Sequence, residues 1–363
     1  MAGELQQKLS QLREQLRSRS IETTLVAAIE QSLLNNPELA QSYSQIQQSQ
    51  WNLIAVRRQW YPTLSAASIG PSGALWGYGG GSTRSTSTTS STGSTVATRV
   101  NQYSYQNQDQ LAVQLSLAWT FFDPSRGPQI NAASENLRSQ ELLFNVSARN
   151  LVLRTQLAYF NLQEQQQLIV AYEEILAATT SQVQQTEAAF NIGNASISDV
   201  EQIRTQQYQT LTLLIKTYLG LIDAASSLAA TIALPPGQLA LPADQLESFG
   251  QWDLPLNASI QQAQALREEI RSSLAQANSA NWQASSLFNS YWPRFALAAN
   301  GAYTDLNRRQ GPVGASDQGY LQSSSWDGSV GVGFNWSIFD GGIAAAQAQA
   351  SKAAARQYSD QAA

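Results

Sequence analysis

The stretch "FNIGNASISDVEQIR" (Phe190–Arg204) interrupts a helical sequence of unusual length. Between Pro128 and Phe190 there is no Pro and no Gly, which predicts a helix about 95 Å long at 1.5 Å per residue. Gly193, set between asparagines, is suited to reversing the chain. Helical sequence then resumes from Ser198 to about Ala233, a further 55 Å or so on the same rise. A helix of that length cannot hide inside a domain of this size, so it must project from the body or join a bundle. The stretch is therefore predicted to be the tip of a hairpin spanning about residues 128–233, with Asp199 in the first turn of the return helix, where the helix dipole favours a carboxylate.

Composition narrows the function. The chain has 363 residues, of which 13% are charged, about half the usual share; Gln, Ser, Thr and Asn take the place of charge. A net charge of −5, with no basic cluster beyond Arg57–Arg58 and Arg308–Arg309, argues against a nucleic-acid partner. There is no Cys and no His, which removes thiol nucleophiles, histidine bases and nearly all zinc or iron sites. Glu173–Glu174 and Glu268–Glu269 read as solvated helix faces rather than paired catalytic acids. No enzyme activity, catalytic residue, metal or cofactor is expected. No apolar run approaches the roughly 20 residues of a membrane-spanning helix. The opening "MAGELQQKLSQLREQLRSRS" has no apolar region of the kind found in a secretory signal.

Outward from the hairpin, the period of the sequence changes from helical to two. In "LAVQLSLAWTFF" (Leu111–Phe122), Leu111, Val113, Leu115, Leu117, Trp119 and Phe121 alternate with small or polar residues, which predicts a strand with one apolar face. The chain also repeats itself. At an offset of 231, Trp51 falls on Trp282 and "WYP" (60–62) on "YWP" (291–293); at an offset of 217, "AWTFFDPSRG" (118–127) falls on "NWSIFDGG" (335–342). The repeated unit is helix, strand, loop, strand, long helix. Asp123 and Asp340 fall at matching positions and are predicted N-caps of the helices that follow the strands. The Gly/Ser/Thr tract Gly77–Thr95 is expected to be a long exposed loop between strands.

Four strands with one apolar and one small polar face suit either a soluble sandwich or a membrane barrel. Their length of roughly 10 residues favours the barrel, as does the asymmetry of short turns and long loops. So do the aromatics at the strand ends. Trp60, Tyr61, Trp119, Phe122, Tyr291, Trp292, Trp336 and Phe339 are the expected aromatics of one membrane interface; Trp76, Tyr78, Tyr103, Tyr105, Tyr320 and Trp326 mark the other end. Four strands cannot close in lipid. The chain is expected to pool them in an oligomer, and three copies would supply twelve. The shorter helices would stack along the long one to make a hollow cylinder lined by Gln, Ser and Thr.

These residues resemble the TolC-type outer-membrane efflux proteins. The resemblance rests on "LLNNPEL" in the first helix, "WYPTLS" at the first strand, "FFDPSRG" and "IFDGG" at the helix starts, the internal repeat, and above all "AFNIGNASISDVEQIRTQQY" at the hairpin turn. It implies an α+β membrane protein: a homotrimer with a 12-stranded β-barrel in the outer membrane and an α-helical tunnel in the periplasm. It further implies export of small molecules or polypeptides, with a periplasmic adaptor and an inner-membrane pump of RND or ABC type. On that resemblance Ile192, Gly193, Asn194 and Ser198 form the adaptor-docking tip, and Asp199 lies at the tunnel entrance. Asn194 departs from the aliphatic residue common there. A surface stalk or adhesin, and a periplasmic adaptor, are the competing readings.

The expected organisation is a polar extension (1–21) followed by a first repeat (22–233), with strands near 62–76 and 108–122 and the hairpin. A Pro-rich equatorial connector (234–257) leads to a second repeat (258–363), with strands near 294–306 and 326–339. That second repeat is expected to be incomplete, since residue 363 falls about twenty residues into its long helix.

Overall fold

The computed structural model describes residues 11, 13–16, 18–68, 73–88, 95–247, 250–312 and 319–363, with backbone alone for 73–88, 95–107 and 309–312. Residues 1–10 of the expected N-terminal extension, residues 89–94 of the Gly/Ser/Thr tract, and the side chains of Trp76, Tyr78, Tyr103 and Tyr105 lie outside the described residues. In chain order the elements are β1 (Ser20–Thr23), α1 (Leu25–Asn35), α2 (Pro37–Arg58), β2 (Thr63–Ser68), β3 (Gly73–Thr88), β4 (Thr95–Phe122), α3 (Arg126–Asn191), α4 (Ile197–Thr231), β5 (Leu239–Pro242), α5 (Leu256–Leu266), α6 (Glu268–Asn289), β6 (Arg294–Pro312), β7 (Gly319–Asn335) and α7 (Ile343–Ala362). They fall into two compact units, one of Met1–Trp51, Ser134–Asn278 and Arg356–Ala363, the other of Asn52–Ala133 and Ser279–Ala355.

In the first unit the core lies along the α3–α4 hairpin. Tyr159, Leu162 and Ile169 of α3 pack with Leu214, Tyr218, Leu221, Ala225 and Leu228 of α4, at spacings that keep one helix face apolar. Helix α4 holds no unbroken apolar run of about 20 residues, yet it contains a stretch long and apolar enough to cross a membrane by length and composition. Ten of its residues are buried in this unit, and Thr210 and Thr217 are the two among them that are not apolar. The hairpin's base is closed by β1 and β5, which pair in parallel from Ser20↔Leu239 to Thr23↔Pro242. Ser20 and Ile21, expected in a polar extension, therefore belong to the fold, and the Pro-rich connector contains a strand. Four-residue strands are too short to show a period. Asp244 ties the base together: one carboxylate oxygen accepts from the Leu25 N–H at 2.9 Å and the Tyr159 hydroxyl at 2.9 Å. Burial pushes the Tyr159 phenol up to about 12.

Two helix breaks in this unit are related by the repeat. After α1, Asn36 takes an extended conformation; its Oδ1 accepts from the Glu38 N–H at 2.9 Å and its Nδ2 donates to the Thr231 carbonyl at 2.9 Å. Pro37 follows as the first residue of α2, where its missing N–H costs nothing. In the second repeat Arg267 is extended at φ −66, ψ 118 and separates α5 from α6. Arg267 lies 231 residues after Asn36. The hinge survives in the second repeat without its proline, so no local signal marks it.

The second unit carries one antiparallel sheet in the order β2–β4–β6–β7, with β3 also paired to β4. β2 runs along β4 from Thr63↔Ala118 to Ser68↔Val113, and β3 continues from Gly73↔Gln110 to Thr88↔Thr95. The four expected strand positions are thus present. They are longer than expected, and much of the tract expected as a loop is paired strand. The Gly and Ser residues of β3 give no apolar alternation to read, but the backbone ladder does not depend on side chains. β7 ends at Asn335, short of the expected 339. The Ser139 and Ser272 hydroxyls, 2.9 Å apart and buried, join α3 to α6 in the first unit; in the second, Ser279 Oγ donates to the Ala132 carbonyl at 2.9 Å.

Candidate functional site

The hairpin tip is built by two local devices. Helix α3 ends with the Gly193 N–H bonded to the Phe190 carbonyl at 3.0 Å and the Asn194 N–H to the Ala189 carbonyl at 2.9 Å. This is the Schellman pattern, with Gly193 at φ +81, a conformation that costs a residue bearing Cβ. Helix α4 opens with a reciprocal capping box. The Asp199 N–H donates to Ser196 Oγ at 3.2 Å, while Asp199 Oδ2 accepts from the Ser196 N–H and hydroxyl at 2.8 Å each. The Ser196 backbone N–H, then its hydroxyl, hold the Asp199 carboxyl below the usual carboxylate range. Ser196 was not singled out in the sequence, although Ser three residues before an acidic residue is the signal of this cap.

Around this turn the side chains are solvated. Ile192 is 73% exposed and Ile197 57%, and Gly193, Asn194, Ser198 and Asp199 are exposed as well. The next turn is pinned by Arg204, which reaches Glu187 of α3 at 2.7 Å and Glu201 at 2.8 Å. Gln207 Nε2 donates to Thr180 Oγ1 at 2.9 Å. The tip thus offers a backbone-ordered loop with two exposed isoleucines above an ion-paired collar. Glu268 and Glu269 are not free on a helix face: Arg149 of α3 pairs with Glu268 at 2.7 Å and with Glu269. Glu173 pairs with Arg13 and accepts from the Tyr218 hydroxyl at 2.7 Å.

In the second unit the ladder assigns every strand residue to a face. Phe122–Phe295–Phe334, Trp119–Leu297–Val332, Leu117–Ala299–Val330 and Val113–Tyr303–Trp326 are cross-strand rows on one side. Gln114–Ala302–Asp327 and Ser116–Asn300–Ser329 lie on the other. A bulge between Thr120 and Phe122 puts Phe122, not Phe121, opposite Phe295. The apolar face is uncovered: Val330, Val332, Phe334 and Trp326 are all largely exposed.

The strand ends repeat each other in detail. Trp119 Nε1 donates to the Trp60 carbonyl at 2.9 Å, and Trp336 Nε1 to the Tyr291 carbonyl at 2.9 Å. These are repeat-related pairs, so the indole orientation is a property of the unit. Tyr61, Trp292 and Phe339 are exposed beside them. Asp340 accepts from the Ala344 N–H at 2.8 Å, capping α7. Asp123 accepts instead from the Ser125 N–H at 3.0 Å and closes the turn before α3, which begins three residues later. Arg126 is 3% exposed. Its guanidinium lies 4.5 Å from the Trp60 ring centroid and donates to the Thr120 carbonyl at 3.0 Å.

A long hairpin with an exposed, capped tip and a sheet with one apolar face define a class that comparison with known proteins identifies. The family model described as "Outer membrane efflux protein" matches residues 28–233, and the chain belongs to that family, which is a family of outer-membrane channels and not of enzymes. Outer membrane protein TolC of Escherichia coli (strain K12) is 23% identical over 243 residues, covering 66% of this chain and 49% of that protein. The chain therefore spans about half the length of the curated relatives it matches. Among solved structures, CusC aligns with a TM-score of 0.67 at 16% identity, over 94% of this chain and 72% of that one. The outer-membrane channel OprN aligns with a TM-score of 0.66 at 18% identity, over 93% and 69%. At these identities the likeness establishes the fold, α+β with a helical hairpin and a sheet that is not closed within one chain.

Proposed function

We propose that this chain is one subunit of an outer-membrane channel that exports small molecules or polypeptides in a tripartite efflux or type I secretion system. The reading is carried above all by the open sheet, with an uncovered apolar face, a small polar face and two edges, β2/β3 and β7. In lipid an unpaired edge leaves N–H and C=O groups unsatisfied at several kcal/mol each, so the edges require partners. Three copies give twelve strand positions, above the eight or so of the smallest barrels. The helices would then enclose a water-filled tunnel in the periplasm.

In this reading the tip residues Ile192, Gly193, Asn194 and Ser198 meet a periplasmic adaptor. Asp199 lies at the tunnel entrance, and an inner-membrane pump of RND or ABC type drives export. Trp60, Tyr61, Trp119, Phe122, Tyr291, Trp292, Trp336 and Phe339 sit at the membrane interface, in contact with lipid. The exposed isoleucines support the docking role, since the backbone of the tip is already satisfied by its own caps. Density-gradient fractionation with single-channel recording tests the whole: the chain should sediment with outer membrane and conduct, and recovery in the soluble fraction would contradict it. Gly193→Leu should weaken adaptor-dependent export while leaving membrane insertion intact; unchanged export would remove the tip from docking.

A further inference from the structure

We propose that Arg57 and Arg58 hold the phosphate of an anionic phospholipid headgroup at the end of the sheet where β2 begins. The proposal rests on the membrane reading of the sheet given above. The two arginines are the last residues of α2, and both side chains are exposed. Three successive backbone bonds lead out of that helix. The Gln59 N–H donates to the Val56 carbonyl at 3.3 Å, the Trp60 N–H to the Arg57 carbonyl at 3.3 Å, and the Tyr61 N–H to the Arg58 carbonyl at 3.0 Å. In turns of this kind side chains three residues apart lie on one side of the chain. Arg57 is thereby set with Trp60 and Arg58 with Tyr61, two aromatics that are 46% and 70% exposed.

The level of the site follows from the strand register. β2 begins with Thr63 opposite Ala118, and Trp119 Nε1 bonds the Trp60 carbonyl at 2.9 Å. Trp60 thus stands beside Trp119, whose cross-strand row Trp119–Leu297–Val332 is among the last apolar rows at that end. Aromatic girdles in outer-membrane barrels mark the edge of the hydrocarbon. The chain enters the sheet after Trp60, so the arginines lie on the other side of that edge. They precede the aromatics by about one helical turn, about 5 Å along the axis, which is the level of the headgroups.

The charge there is unmatched. The sequence holds no Asp or Glu from Leu39 to Gln108, and among the described residues no ion pair reaches Arg57 or Arg58. A third cation adds to the field: buried Arg126 lies against the Trp60 ring, and its Nε has no hydrogen-bond partner among the described residues. Arg294, by contrast, has Asp123 at 3.5 Å. The chemistry that complements these groups is a phosphate carrying an apolar tail. Guanidinium groups bind the phosphate through parallel hydrogen bonds, and the amphipathic aromatics suit the boundary between head and tail. The competing occupant is a second copy of the chain. Asn289, which falls on Arg58 at the offset of 231, donates to the Pro124 carbonyl at 3.0 Å, and the repeat equivalent of Pro124 is Gly341. That contact needs one neutral donor, whereas this site presents two charges. The carboxylate beside Gly341, Asp340, is already taken by the Tyr291 hydroxyl at 3.0 Å and by the Gly342 and Ala344 N–H groups at 2.8 Å each.

The test is reconstitution of the full chain into vesicles of phosphatidylcholine and phosphatidylglycerol in equal amounts, extraction in mild detergent, and native mass spectrometry of the lipids retained. Phosphatidylglycerol should be enriched by about fivefold per arginine, the effect of one cation at an anionic surface, and high salt should remove the enrichment. Arg57→Gln combined with Arg58→Gln should bring the two lipids near parity while the chain still inserts and assembles. Arg57→Lys combined with Arg58→Lys should keep most of the enrichment, and Arg138→Gln, at an exposed arginine of α3, all of it. Unchanged enrichment in the double glutamine variant overturns the proposal and leaves the pair to the dipole of α2. Loss of assembly in Arg58→Gln with enrichment intact assigns the pair to a second copy and overturns the lipid. Loss of enrichment on adding inorganic phosphate at matched ionic strength assigns the site to the free ion, and overturns it equally. Failure to insert into the vesicles overturns the membrane reading beneath, and the proposal with it.

Discussion

At the tip of the hairpin, Gly193 and Ser196 satisfy the backbone groups that two abutting helix ends would leave open. A Cβ at Gly193 would meet nothing within 4 Å, so the cost of substitution there is conformational and not steric. Replacing Ser196 by Ala removes the acceptor for the Asp199 N–H and should destabilise the start of α4 by about 1 kcal/mol, read as faster hydrogen exchange of its first-turn amides. The contribution of Asp199 has a defined pH sense. Its folded pKa is lowered, so the stabilisation is present above the unfolded value near 3.9 and is lost as pH falls through the lower folded value. Exchange protection at the tip should therefore fall only in acid, and should lose that pH dependence in Asp199→Asn. At the other end of α4 the same turn pattern recurs without its glycine. The Leu234 N–H reaches the Ala229 carbonyl at 2.9 Å, and Ala233 carries a φ of +56. Ala233→Gly should stabilise the fold by up to about 1 kcal/mol; a lower melting temperature would contradict that account.

At the scale of elements, α3 is the helix on which the other helices of its unit are registered. Arg154 forks onto Glu38 with oxygens at 2.6 and 3.2 Å, and Arg149 takes Glu268 and Glu269. Glu38 and Glu269 are repeat equivalents, so both shorter helices present an acidic first turn to arginines on one spine. Exposed pairs of this kind contribute less than about 1 kcal/mol each. The main stabilisation comes from the apolar seam: Leu228→Ala, at a fully buried position, should cost about 3 kcal/mol and lower the thermal midpoint, whereas Glu38→Gln should barely move it. The elements that were legible in the sequence are those whose side chains carry a period. The long helices, the break at Gly193 and the apolar faces of β4, β6 and β7 are of this kind. What escaped was held by backbone or by distant partners. β3 is built of Gly, Ser and Thr with no apolar alternation, β1 and β5 are four residues each, and the hinge at Arg267 shows only when the repeat maps it onto Asn36. The acidic pair at Glu268–Glu269 looked solvated because its arginine lies 119 residues away from Glu268 in the chain.

For the whole molecule, the two repeats give two half-sheets that share one face chemistry and leave two open edges. The repeat-related indole hydrogen bonds, Trp119 to Trp60 and Trp336 to Tyr291, anchor both half-sheets at the same end in the same way. That uniformity is what a barrel needs if its strands are to meet one lipid boundary. The central claim is that the sheet closes only by pooling strands from several copies, and native mass spectrometry of the chain extracted from membrane in detergent tests it most directly. The account predicts a stable assembly of three copies that resists dilution; a folded, stable monomer with its sheet intact would contradict it.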